Sequence, residues 1–222
     1  RQGGAASGQV GPAGELPQNF GPASAQAPVK IAVARDAAFN FIYDETLASF
    51  AEAGAEIAFF SPLSDSRLPD GVCGMYLPGG YPELYGKQLE ENLPMKAHIR
   101  QAIASGMPTI AECGGFLYLS ETLRDDGDRI RSMIGALPGN AADTGHLVRF
   151  GYGYISAGSD SMLLKKGDTL PVHEFHYWDS TEPGSDMHFV KASGTREWEF
   201  GYATDTLYAG FPHLYPAGNG GL

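Results

Sequence analysis

The chain has 222 residues, 43% of them hydrophobic, enough for one sizeable core and not for two large domains. A formal net charge of −11, with no local cluster of lysine or arginine, argues against a nucleic-acid partner. No apolar run approaches the ~18 residues needed to span a bilayer, so no membrane association is expected, and the N-terminus lacks the basic-then-apolar pattern of a secretory leader. Cys73 and Cys113 are the only cysteines, and neither has zinc or redox spacing around it. They fit a reducing cytoplasm with free thiols, the alternative being one disulfide that a reactive Cys113 would forbid.

Residues 1–28 are almost entirely Gly, Ala, Pro, Gln and Ser. Such a composition cannot bury enough apolar surface to offset ordering entropy, so it reads as a flexible linker or tail, with something preceding it. The folded part, residues 29–222, opens with a buried-strand run at 29–34. Residues 41–53 have helical spacing and Gly54 as C-cap. Strands follow at 57–60 and 72–77. After the Pro78-Gly79-Gly80 turn come helical stretches broken at Pro94 and ending near Ser105-Gly106. A short strand through Ile110 then leads to Cys113, and residues 116–123 continue as helix. From about 146 the texture becomes aromatic and alternating, with shorter, partly antiparallel strands at 146–155, 170–177, 187–191, 197–202 and 206–210. The first part implies a parallel sheet covered by helices on both faces, with ligands bound beyond the carboxyl ends of its strands. No phosphate-binding loop is present; Gly86-Lys87-Gln88 lacks both the glycine loop and the hydroxyl.

The most informative segment is Pro108-Thr109-Ile110-Ala111-Glu112-Cys113-Gly114-Gly115-Phe116-Leu117-Tyr118. An apolar strand, a cysteine, two glycines and an apolar helix make the layout of a nucleophile elbow. The helix dipole and free N–H groups there favour a thiolate, while Gly114 and Gly115 tolerate the turn and leave room for a substrate. The plainer alternative is a buried core cysteine. A cysteine nucleophile needs a base, and six histidines are available. His98 reads as solvated on a surface helix, His188 as a strand residue without an implied partner, and His146 has no assignable role. His173 and His176 are spaced to lie on opposite faces of a strand, so a shared metal is not expected and no metal site is assigned. His213, in a loop beyond a short apolar strand, is well placed to meet the elbow. The N–H of Gly114 is a natural oxyanion donor, and the Pro78-Gly79-Gly80-Tyr81 turn supplies a second, unless it is merely a tight turn.

Leu77-Pro78-Gly79-Gly80-Tyr81-Pro82-Glu83-Leu84-Tyr85, Asn92-Leu93-Pro94-Met95, the Cys113 segment and His173-Glu174-Phe175-His176-Tyr177 together carry a resemblance. So do residues 33–41 and 60–63. In this order they resemble the glutamine amidotransferase domain of the cobyrinic acid a,c-diamide synthase family, within the class I, cysteine-nucleophile amidotransferases, from about residue 29 to 215. The resemblance implies a flavodoxin-like three-layer αβα sandwich and a glutaminase that supplies ammonia. Cys113 would form a γ-glutamyl thioester, and His213 would deprotonate the thiol and protonate the departing ammonia. The N–H groups of Gly80 and Gly114 would hold the oxyanion, and Gly79, Tyr81, Gly115, His176 and Tyr177 would wall the glutamine pocket. No cofactor is implied for this domain; ATP and Mg belong to a synthetase domain, in the same polypeptide or a separate subunit. The acceptor implied is a corrinoid carboxylate, or that of a related tetrapyrrole such as a nickel-containing one. A surface at −11 would repel such a polyanion, which places it mainly on the synthetase domain.

Many class I amidotransferases carry a glutamate two residues after the histidine. Here that position is Tyr215, which leaves a Cys–His dyad. Two readings compete with the glutaminase: a cysteine peptidase or related hydrolase on the same fold, and a non-catalytic domain that docks onto and regulates a synthetase.

Overall fold

A computed structural model describes residues 29–215; the linker assigned to residues 1–28 lies outside the described residues. The first half contains β1 (Lys30–Ala34), α1 (Asp44–Glu52), β2 (Glu56–Phe60), β3 (Gly74–Leu77), a 3₁₀ turn (Pro82–Tyr85), α2 (Gly86–Glu91), α3 (Leu93–Ala104), β4 (Thr109–Glu112) and α4 (Gly114–Leu119). Short strands follow: β5 (Thr122–Arg124), β6 (Ile130–Ser132), β7 (Asn140–Asp143), β8 (Arg149–Ala157), β9 (Thr169–His176) and β10 (Trp178–Ser180). The chain continues through β11 (Met187–Lys191), β12 (Glu197–Phe200), β13 (Tyr202–Ala203), β14 (Leu207–Gly210) and β15 (His213–Leu214).

The central sheet has the order β13-β14-β4-β3-β1-β2 and is parallel except for the β13 edge. It is buried on both faces, so its strands read as continuous apolar runs. Successive side chains enter different cores. Met75, Leu77, Ala111 and Ala209 join the cluster built with Met95, Ile99 and Phe116 of the helices. Tyr208 and Ile110 pack instead with Ile155, Val172 and Phe189 of the antiparallel sheet β12-β11-β8-β9-β15. A third sheet, β10-β7-β5-β6, is mixed.

Pairing of Leu77 with Ala111 and of Glu112 with Gly210 brings the carboxyl ends of β3, β4 and β14 side by side. The Gly79-Gly80 turn, Cys113 and His213 all follow those ends.

Four local expectations are corrected. Residues 41–43 are outside α1, because the Phe41 N–H donates to the Gly79 carbonyl at 3.1 Å. Pro94 sits in the first turn of α3, where a missing N–H costs nothing, and the Asn92 side chain caps the helix by accepting from the Met95 N–H. The helix after Cys113 ends at Leu119, and residues 122–124 form a strand between β6 and β7. His98 is buried and accepts from the Leu68 N–H at 2.9 Å, so it is a structural residue.

Candidate active site

Cys113 joins β4 to α4 with φ 48° and ψ −106°, a conformation that L residues avoid and that costs of order 1–3 kcal/mol. Its backbone is held from both sides: the Cys113 N–H donates to the Gly210 carbonyl at 2.8 Å, and the Leu117 N–H donates back to its carbonyl at 3.0 Å. The turn closes because the next two residues lack side chains. A Cβ on Gly115 would lie 2.1 Å from the Leu77 carbonyl oxygen, and one on Gly114 would lie 2.9 Å from the Gly80 nitrogen. Gly115 therefore lets α4 seat against β3 and does not line the pocket.

The opposing turn is equally constrained. Gly80 has φ 155°, and a Cβ there would meet the Ala38 carbonyl oxygen at 2.1 Å. That carbonyl accepts from the Tyr81 N–H at 2.9 Å. The loop carrying Ala38 is pinned by Asp36, which accepts from the Ala38 N–H, the Ser61 hydroxyl and the Leu63 N–H at 2.8–3.0 Å. The Gly80 N–H meets no acceptor among the described residues. The Gly114 N–H opens α4, where a helix supplies no internal acceptor. Two donors thus flank the sulfur-bearing residue.

His213 lies on β15 rather than in a loop, paired with His173 of β9. Its ring meets Phe41 edge-on at 4.8 Å, and a Cβ on Gly79 would overlap its Cε1 at 2.4 Å. Gly79 therefore leaves space for this imidazole and does not wall a pocket.

The carboxylate absent at Tyr215 is supplied from elsewhere. Glu112, immediately before Cys113, is 1% exposed, and its Oε2 stands 3.5 Å from His213 Nδ1. This is an ion-pair contact that falls short of hydrogen-bond geometry. Two donors hold the carboxylate in place: the Tyr76 hydroxyl at 2.7 Å and the Leu214 N–H at 3.0 Å. Burial, and then the Glu112 charge, push the Tyr76 phenol well above its usual value, so it stays a donor. Burial alone would lower the His213 pKa, but the neighbouring Cys113 and Glu112 groups outweigh it and push the imidazole up to about 10. Tyr215 turns to a second cavity on the far side of His213.

A pocket of about 400 Å³ opens over Cys113. Gly80, Tyr81, Glu83, Leu117, His173, Phe175, His176, Tyr177, Trp178, Phe41 and His213 line it. Tyr81, His176 and Tyr177 are therefore gathered around the cysteine, whereas Gly79 and Gly115 are not. His176 stacks on Phe211 at 3.8 Å and 4°. Its Nδ1 is 2.6 Å from the Trp178 carbonyl, an acceptor, so that nitrogen carries a proton. Its Nε2 shares one further proton with Glu174 at 2.9 Å. With both nitrogens engaged by the protein, His176 is a wall.

Glu112 and Glu83 were given no role by the sequence alone, and His173 was weighed there only as a metal ligand. Only Glu112 carried a signal, being adjacent to the nucleophile. His173 reaches the pocket from the exposed face of β9, while His176 lies on the buried one, as the strand alternation requires. Among the described residues no three or more metal-ligating side chains are grouped for a metal ion. Both cysteines are free thiols, and no helix among the described residues is long and apolar enough to cross a membrane.

A strained cysteine at the end of a parallel strand, facing a histidine on the same rim, on a mostly parallel sheet extended by antiparallel strands, defines a class I glutamine amidotransferase fold. Solved structures agree. PurLQS from Thermotoga maritima superposes with a TM-score of 0.58 at 13% identity, covering 84% of this chain and 88% of that one. A glutamine amidotransferase from Thermotoga maritima gives 0.52 at 15% identity, covering 84% and 76%. Residues 30–218 match the CobB/CobQ-like glutamine amidotransferase domain, and the chain belongs to that family. Among curated relatives, the cobyrinate a,c-diamide synthase of Caldanaerobacter subterraneus subsp. tengcongensis is 44% identical over 191 residues, or 84% of this chain and 42% of its own length. That of Salmonella typhimurium is 39% identical over 206 residues, or 90% and 44%. The chain thus spans less than half the length of these relatives.

Proposed function

We propose that this chain is the glutaminase part of an ATP-dependent cobyrinate a,c-diamide synthase. The observation that carries the chemistry is the half-buried Cys113 beside the buried His213 and Glu112, flanked by the backbone N–H groups of Gly80 and Gly114. Cys113, as thiolate, attacks the side-chain amide carbon of glutamine. The Gly80 and Gly114 N–H groups stabilise the resulting oxyanion. His213, held as imidazolium against Glu112, gives its proton to the amide nitrogen; the C–N bond breaks and ammonia leaves. Water then attacks the thioester, its proton passing to His213, and glutamate departs with the sulfur restored. Glu112 orients the imidazole and balances its charge, the role played by the carboxylate of hydrolase triads.

The similarity to synthases of more than twice this length supports assigning ATP and magnesium, and the corrinoid acceptor, to the remaining part of such a polypeptide. In this reading that part covers the aromatic rim of the pocket, where Phe150, Tyr152, Phe175 and Tyr177 stand exposed. The free thiols of Cys73 and Cys113 are in keeping with a cytoplasmic site.

Mass spectrometry after exposure to the diazo-ketone analogue of glutamine tests the reading. One adduct on Cys113, suppressed by glutamine and absent in Cys113→Ala, is the expected result. A folded chain that hydrolyses unrelated peptides and ignores the analogue would favour the peptidase instead.

A further inference from the structure

The glutaminase chemistry leaves one buried ionisable group in the pocket unused. Glu83, in the 3₁₀ turn after Gly80, is 6% exposed and lines the cavity over Cys113. The same turn packs against the residue after the nucleophile: a Cβ on Gly114 would be 3.0 Å from Pro82 Cδ. Among the described residues no lysine, arginine or histidine forms an ion pair with Glu83. Its carboxyl is hydrogen-bonded by its own backbone N–H, and the charges acting on it, Asp126 and Asp143, have the same sign. Arg131 lies in the shallow depression beyond, yet it is spent on Asp125 at 2.6 Å and Glu90 at 3.1 Å. The imidazoles of the pocket, His173, His176 and His213, are those of the opposite sheet. His176 is occupied by Glu174 and His213 stands against Glu112. Burial of His173, followed by the charge of His213, lowers its pKa, so it is neutral at pH 7.

A desolvated carboxylate without a cation is costly, and pockets fix ligand orientation with few, well-placed polar groups. Glutamine carries one cation, its α-ammonium, four bonds from the amide carbon that must reach Cys113. No lysine or arginine is among the residues lining the pocket, so the charge that Glu83 can offer an incoming group is negative and, His213 aside, has no competitor of the opposite sign there. We propose that Glu83 seats the α-ammonium group of glutamine and thereby selects an α-amino acid over other amides. This rests on the glutaminase reading. Burial holds the empty carboxyl up to about 7, and the arriving ammonium favours its ionised form.

The test compares two probes of Cys113 in the full chain. The diazo-ketone analogue of glutamine bears an α-ammonium, and iodoacetamide does not. Glu83→Gln is expected to slow diazo-ketone labelling by about 30-fold or more, the worth of a charged hydrogen bond, while iodoacetamide labelling changes by less than about threefold. Glu83→Asp is expected to recover part of the loss. In the wild type the preference for the diazo-ketone is expected to weaken as the pH falls below about 7. A wild type selective for the diazo-ketone and a Glu83→Gln variant equally selective would overturn the Glu83 assignment alone. A wild type with no preference for the diazo-ketone would overturn the glutaminase reading, and this one with it.

Discussion

Replacing Glu112 by glutamine removes one charge and almost no volume. The oxygen that accepts from the Leu214 N–H remains, so the fold is expected to survive. At an effective dielectric of about 20, a unit charge 3.5 Å from the imidazolium is worth about 5 kcal/mol. Part of that charge is already drawn toward the Tyr76 hydroxyl and Leu214 N–H, and the glutamine dipole keeps a share. Halving the figure leaves about 2.5 kcal/mol, or roughly 2 pKa units. The His213 titration should therefore fall from about 10 to about 8. Ammonia release should fall by about 10- to 100-fold, since the imidazole loses both its proton affinity and its orienting partner. The assay is the pH profile of diazo-ketone labelling at Cys113 together with ammonia release, in wild type, Glu112→Gln and Glu112→Asp. The upper limb should move down in Glu112→Gln and part of the way back in Glu112→Asp. A folded Glu112→Gln protein with an unshifted upper limb and rates within twofold of wild type would refute the role given to this carboxylate.

Gly79→Ala places a methyl group 2.4 Å from His213 Cε1, and Phe41 blocks the ring at 4.8 Å, so the imidazole must leave its position. Labelling of Cys113 by the glutamine analogue should drop by about 100-fold or more with secondary structure retained; a loss below fivefold contradicts the packing argument. Glu83 should leave a mark on stability as well. Its folded pKa of about 7 lies above its ordinary value of 4.5, so the folded state keeps a proton that the unfolded chain has lost. Its contribution is thus fully present below pH ~4.5 and is lost as the pH rises through ~7. Relative to wild type, Glu83→Gln should gain about 2–3 kcal/mol between pH 4.5 and pH 8, read from urea midpoints; parallel pH curves would show that the carboxyl ionises freely in the fold.

Much of the central sheet was legible in the chain because its signals are local. β1, β2, β3, β4 and β14 are short apolar runs bounded by glycine, proline or charged residues, and the elbow is written in the adjacent Cys113-Gly114-Gly115. The limits of α4 were not legible. Residues 116–123 carry one apolar pattern, and only pairing of Thr122 and Leu123 with β6 and β7 makes the last of them a strand. His98 looked solvated because helical spacing does not reveal that the Leu68 N–H needs its Nδ1.

The sequence by itself determined the nucleophile, its turn, the likeness to one amidotransferase family and the glycine segment opposite. Those features reside in neighbouring residues whose backbone preferences are local. Only the tertiary structure decided what His213 faces. The parallel register that sets Glu112 beside Gly210, followed by the return of the chain into β15, puts a carboxylate from one strand against an imidazole from another. No periodicity encodes such a meeting, because it depends on strand order and register. For the same reason Tyr215 at the familiar position did not mean that a carboxylate was missing from the site.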